Sequence, residues 1–82
     1  KKTRNKIMQD QDNKCQSCGN KATQIHHVMP RGRGGRGVCS NGMAICNGCH
    51  TRIHKDNALL GYWMFLYEQR HGKDFYKDEW DL

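Results

Sequence analysis

His26-His27-Val28-Met29-Pro30 opens the stretch that decides this chain, and Cys46-Asn47-Gly48-Cys49-His50-Thr51-Arg52-Ile53-His54 closes it. Between them lie an Arg/Gly segment, Pro30-Arg31-Gly32-Arg33-Gly34-Gly35-Arg36-Gly37, and the pair Asn41-Gly42. Residues 22–28 alternate as a strand does, with Ala22, Gln24, His26 and Val28 on one face and Thr23, Ile25 and His27 on the other. Pro30 ends that strand. Asn41-Gly42 reads as a turn and Met43-Ala44-Ile45 as a second short strand. A helix over about 48–55 puts His50 and His54 on one face, one turn apart. Cys49 precedes His50 by one residue and so points about 100° away around the helix. The two residues therefore belong to separate sites that share one helix.

Working outward, Cys15 and Cys18 match the spacing of Cys46 and Cys49: two Cys-x-x-Cys pairs, the set a tetrahedral zinc ion takes. Gly19 directly after the first pair suits a knuckle, whose tight turn aims backbone N–H groups at the sulfurs. Five cysteines in 82 residues leave Cys39 over, which argues against a disulfide framework and reads as a small buried hydrophobe. A single domain over 1–82, 35% hydrophobic, buries too little apolar surface to be stable unaided, so one structural Zn²⁺ is the expected staple. Reduced thiolates place the chain in a reducing, cytoplasmic compartment. The longest apolar run, 62–67, is far too short to span a bilayer, and no signal peptide is visible. Opening on Lys1 and not on Met, the chain reads as trimmed or excised from something longer.

The formal charge of +6 points to a polyanionic partner, nucleic acid before membrane surface. Arg31, Arg33 and Arg36 sit in a glycine-rich loop expected to be flexible, where backbone and guanidinium can both approach phosphate. Thr3 is the expected cap of a basic N-terminal helix over about 4–12, with Ile7 and Met8 as its buried side. Asp56 or Asn57 caps a last helix over about 58–71, with Leu59, Leu60, Trp63, Leu66 and Tyr67 as its stripe and Gly72 as its stop. Tyr62, Met64 and Phe65 lie off that stripe and are expected to pack under the tail with Phe75, Tyr76 and Trp80.

Imidazole suits a divalent transition metal, and His26, His50 and His54 are three candidate ligands for a second, catalytic ion. That leaves His27 beside the ion as a general base. The acidic residues lie elsewhere, so a two-metal carboxylate centre is not expected.

In that order, His26-His27, Asn41 and His50-x-x-x-His54 resemble the HNH endonuclease motif, and the cysteine pairs resemble its zinc-stabilised bacterial and phage members. The resemblance covers about 15–55, leaving the helix and tail over 57–82 outside it. It implies an α+β fold of the small ββα-metal type with flanking helices. It implies His27 as the base that activates water, His26, His50 and His54 as ligands of one divalent metal (Mg²⁺, Mn²⁺, Zn²⁺ or another), and Asn41 as the motif asparagine that braces the loop and orients the base. Cys15, Cys18, Cys46 and Cys49 match the structural zinc set. The implied activity is DNA phosphodiester hydrolysis leaving 5′-phosphate and 3′-hydroxyl ends. Low sequence specificity and nicking are expected, because no base-reading helix is evident. Two other readings stand beside it. One is a non-catalytic zinc module that binds nucleic acid, with all four histidines closing a second structural site. The other is an accessory subunit of a larger assembly such as a phage DNA-packaging complex.

Overall fold

The computed structural model describes residues 2–78. The chain runs α1 (Lys2–Asp10), β1 (Gln24–His27), β2 (Gly42–Ile45), α2 (Asn47–Lys55) and α3 (Asn57–His71), with 3₁₀ turns at Arg31–Arg33 and Cys39–Asn41 before β2. It is an α+β fold whose centre is a two-stranded antiparallel sheet followed by a helix. Gln24 pairs with Ile45, Ile25 with Ala44, His26 with Met43 and His27 with Gly42.

The sheet is too small to stand alone, and each of its faces is covered. On one side Met43, Ile45 and Val28 join Ile53 of α2 and Trp63 and Tyr67 of α3 in the core, with Cys15, Cys49 and Phe75 at its margins. On the other side α1 lies against the strands, with Ile7 buried. The outer edge of β2 is closed by side-chain and knuckle groups in place of a third strand. The Gln11 carboxamide accepts from Ala44 N–H at 2.7 Å and donates to the Gly42 carbonyl at 3.0 Å, while the backbone N–H of Gln16 reaches the Ala44 carbonyl at 3.0 Å. Edge groups that would otherwise be left bare are thereby satisfied. The Gly42 carbonyl also accepts from Tyr67 OH at 2.9 Å, so α3 and the residue that follows α1 meet at the same point of β2.

Several expectations are corrected. The first helix starts at Lys2, so Thr3 lies inside it and does not cap it. β1 is shorter than the alternation over 22–28 suggests, because Ala22 and Thr23 hydrogen-bond to Asn13 and Ile45 outside regular strand pairing. Asn41 closes a 3₁₀ turn that leads into β2, and is not half of a hairpin turn. Cys39 is half-buried at a cleft rim and does not belong to the core. α3 is capped by Asp56, whose carboxylate accepts from Ala58 and Leu59 N–H, and it ends at Gly72 with φ +92°. Met64 packs against the core, but Tyr62 and Phe65 stand 54% and 58% exposed among the described residues. Phe75 is buried against Tyr67, and Trp80 lies outside the described residues.

The Arg/Gly segment is not a free linker. Its first turn is closed by Gly34 at φ +90°, a conformation that favours glycine. Gly35 presses on the Met29 carbonyl so closely that a Cβ there would overlap it. The segment hangs from Asn41, whose side chain is fully buried. Asn41 Oδ1 accepts from Met29 N–H at 2.7 Å, and its Nδ2 donates to the carbonyls of Arg36 at 3.0 Å and Met29 at 3.2 Å.

Candidate active site

Two clusters of metal-ligating side chains form among the described residues: Cys15, Cys18, Cys46 and Cys49 in one, His26, His50 and His54 in the other. Both borrow α2. Its periodicity turns Cys49 toward the first knuckle and His50 and His54 toward β1.

In the cysteine cluster the first pair sits on a turn closed by Gly19 N–H to the Cys15 carbonyl, with Gly19 at φ +83°. The second pair is the start of α2, where Cys46 is the N-cap and its sulfur accepts from Cys49 N–H at 3.5 Å. Cys18 and Cys46 sulfurs are 3.7 Å apart. Four sulfurs on one tetrahedral zinc, each about 2.3 Å from it, stand about 3.8 Å apart. Burial opposes ionisation of Cys15, but the backbone amides of Cys46, Cys18 and Ser17 outweigh it and bring the thiol down to about 6. Burial, with the neighbouring sulfurs, pushes Cys49 up to about 12. A cation held among the four sulfurs would favour their thiolate forms. The cluster fits zinc.

In the histidine cluster each ring offers one nitrogen and all three lie within 4.8 Å of one another. His50 and His54 approach through their Nε2 atoms at 3.0 Å. His26 comes from β1 and meets both rings edge-on, with centroids 5.2 and 5.9 Å away. Its Nε2 is buried with no hydrogen-bond partner. Such an orphaned ring nitrogen is costly unless something fills the space. Burial first, then the neighbouring rings of His50, His54 and His27, hold the His26 pKa down to about 4. His50 is lowered by burial and by His54 and His27. Neutral imidazoles are the form that ligates, so this set fits a divalent metal.

His27 stands outside the trio. It shares with His26, His50 and His54 a cleft of about 310 Å³, lined also by Ile25, Pro30, Arg31 and Leu60. Its other flank faces α1, beside Thr3, Arg4 and Ile7. Burial and then the Arg31 guanidinium lower its pKa. Neighbouring strand residues face opposite sides. His27 reaches the cleft as the last residue of β1, where the chain leaves the sheet toward Pro30. Of the three loop arginines only Arg31 lines this cleft. Arg33 is exposed elsewhere, and the Arg36 backbone N–H is tied to the Tyr76 carbonyl at 2.9 Å. Asn41 offers no atom to the cleft, since all its side-chain polar groups are engaged with the loop backbone.

Residues 15–56, just over half of the chain, match the HNH endonuclease family. The chain belongs to that family. A curated relative is the type IV methyl-directed restriction enzyme EcoKMcrA of Escherichia coli (strain K12), 31% identical over 58 residues. The match takes in 58% of this chain and 21% of the relative, so the chain spans about a fifth of that protein's length. The matched region of this HNH domain holds both clusters, His27 and Asn41. No helix among the described residues is long and apolar enough to cross a membrane.

One residue of this site is not among the candidates read from the sequence. Gln24 lies beside His50 and Asn47 and hydrogen-bonds to both. Its signal is the strand alternation, which puts Gln24 on the face of His26. Polarity at a half-buried strand position would have singled it out.

Proposed function

We propose that this HNH domain is a metal-dependent DNA endonuclease that hydrolyses phosphodiester bonds. The observation that carries the reading is the cleft in which three histidine nitrogens converge while a fourth histidine stands beside them, outside the trio. A closed structural site would draw in all four. A divalent cation on His26, His50 and His54 would supply Lewis-acid stabilisation of charge at the scissile phosphate and the leaving 3′ oxygen. His27 takes the proton of the attacking water, and its lowered pKa keeps it neutral and ready to do so at pH 7. Arg31 holds a phosphate oxygen at the mouth of the cleft, and the exposed Arg33 and Arg36 extend the positive surface along the DNA backbone. Asn41 acts through the loop, fixing the segment that carries Arg31. Zinc on the four cysteines is structural. One cleft cuts one strand at a time, so the product is a nick, and the contacts proposed here are to phosphate, so sequence preference is weak.

Plasmid cleavage tests this. Wild type nicks supercoiled DNA with added Mg²⁺, Mn²⁺ or Zn²⁺ and not with chelator. His27→Ala stays folded by circular dichroism and loses at least about 100-fold in rate, the contribution of a general base. DNA binding without cleavage under any of these metals would sink the reading.

A further inference from the structure

A strand repeats its faces every two residues and a helix every three to four. Where β1 lies against α2, the shared face is Gln24 and His26 from the strand and Asn47, His50 and His54 from the helix. Three of these five are the histidine trio. Of the other two, Gln24 places its Oε1 2.6 Å from His50 Nδ1, and its Nε2 donates to Asn47 Oδ1 at 3.1 Å. We propose that Gln24 is a positioning residue: its carboxamide oxygen accepts the His50 Nδ1–H, fixes the ring so that Nε2 faces His26 and His54, and thereby sets the affinity of the trio for a divalent cation. The inference rests on reading the trio as a metal site.

An imidazole that gives one nitrogen to a metal must keep its proton on the other, and the partner of that proton fixes both tautomer and ring plane. A carboxamide can turn either end toward a ring. Here Asn47 occupies the NH₂ end, which leaves Oε1 for His50. Gln24 is itself held by strand pairing opposite Ile45. Asn47 directly follows the N-cap Cys46. The relay therefore ties the orientation of His50 to the cysteine end of α2, and a sheet residue to the helix that carries two ligands.

The test uses the full chain with zinc on its cysteines, titrated with Mn²⁺ and separately with Zn²⁺ in a calorimeter. Wild type binds one further equivalent, which His50→Ala abolishes. Gln24→Met keeps the length of the side chain and removes the acceptor. It is expected to bind about 10–100-fold more weakly, with an unchanged circular dichroism spectrum and cysteine-bound zinc. Gln24→Glu keeps the acceptor and restores wild-type affinity. Proton NMR of the zinc-loaded wild type shows a slowly exchanging His50 Nδ1–H, and Gln24→Met lacks it. A Gln24→Met protein that binds as tightly as wild type overturns the positioning role and leaves the metal site standing. A wild type with no equivalent lost in His50→Ala overturns the metal site and this inference with it. Should Gln24→Met not fold, absence of the Nδ1–H from zinc-loaded wild type, or weak binding by Gln24→Glu, overturns the proposal without it.

Discussion

Asn41 shows how one buried side chain can carry a segment of chain. Its side chain is fully buried and makes three hydrogen bonds to the half-buried backbone of Met29 and Arg36, so removing it leaves one N–H and two carbonyls without that partner. Asn41→Ala is expected to lose about 3 kcal/mol of stability in a urea melt. Nicking should fall as well, because the turn that carries Arg31 is released. A variant as stable as wild type would remove the brace. His26 gives a second prediction. Its pKa is about 4 in the fold against 6.5 for a free ring, so below pH 6.5 the unfolded chain takes up a proton that the folded chain refuses. The stability at stake is whole above about pH 6.5, is lost as the pH falls, and is gone near 4. With the trio free of metal it amounts to about 3 kcal/mol. Acid melts of wild type and His26→Gln isolate it from thiolate protonation, which the two share: His26→Gln should decline less steeply between about pH 6.5 and 4. Parallel declines would show that His26 titrates normally.

At the scale of elements, α1 packs closely on β2. A Cβ on Gly42 would lie 2.2 Å from Ile7 Cδ1 and 3.0 Å from Cγ1, so a side chain here would force Ile7 to shift. Gly42→Ala is expected to cost about 1–3 kcal/mol through overpacking. In Ile7→Ala the same substitution should cost much less, and a double-mutant cycle of thermal melts reads the difference. Additive costs would mean that α1 does not bear on the strand at this point. The cycle also reports on His27, which is paired with Gly42 across the sheet and sits beside α1. That the Arg/Gly segment is ordered was not legible in its composition. Arginine and glycine predict mobility. The order comes from Asn41 and from the hydrogen bond of Arg36 N–H to the Tyr76 carbonyl, a partner far along the chain that only folding brings near.

For the molecule as a whole, the two clusters differ in what they hold together. The cysteines join a turn near the N-terminus to the helix that follows the sheet, while the histidines join residues that the sheet and helix already place. A strong zinc chelator is therefore expected to abolish cooperative unfolding and much of the α2 helicity, since metal on such a site contributes on the order of 10 kcal/mol. A weaker chelator that empties only the histidine trio should stop nicking and leave the circular dichroism spectrum intact. Metal analysis at each step pairs content with fold. Loss of fold and of nicking at the same chelator strength would mean that the two sites are not separable in this way.

Local chemistry made much of this domain legible in its sequence. Two Cys-x-x-Cys pairs, the His50/His54 spacing on a helix and the roughly 100° offset of Cys49 follow from bond geometry and helical period alone, and the structure gathers these side chains in two clusters that could each hold a metal ion. Alternation also put Gln24 and His26 on one strand face. What no local rule supplies is which surface each face meets. The hold of Asn41 on Met29, the closure of the β2 edge by Gln11 and the contact of Gln24 with His50 depend on partners 12 to 33 positions away. Those contacts are selected by packing the whole chain at once, and only the tertiary structure decides them.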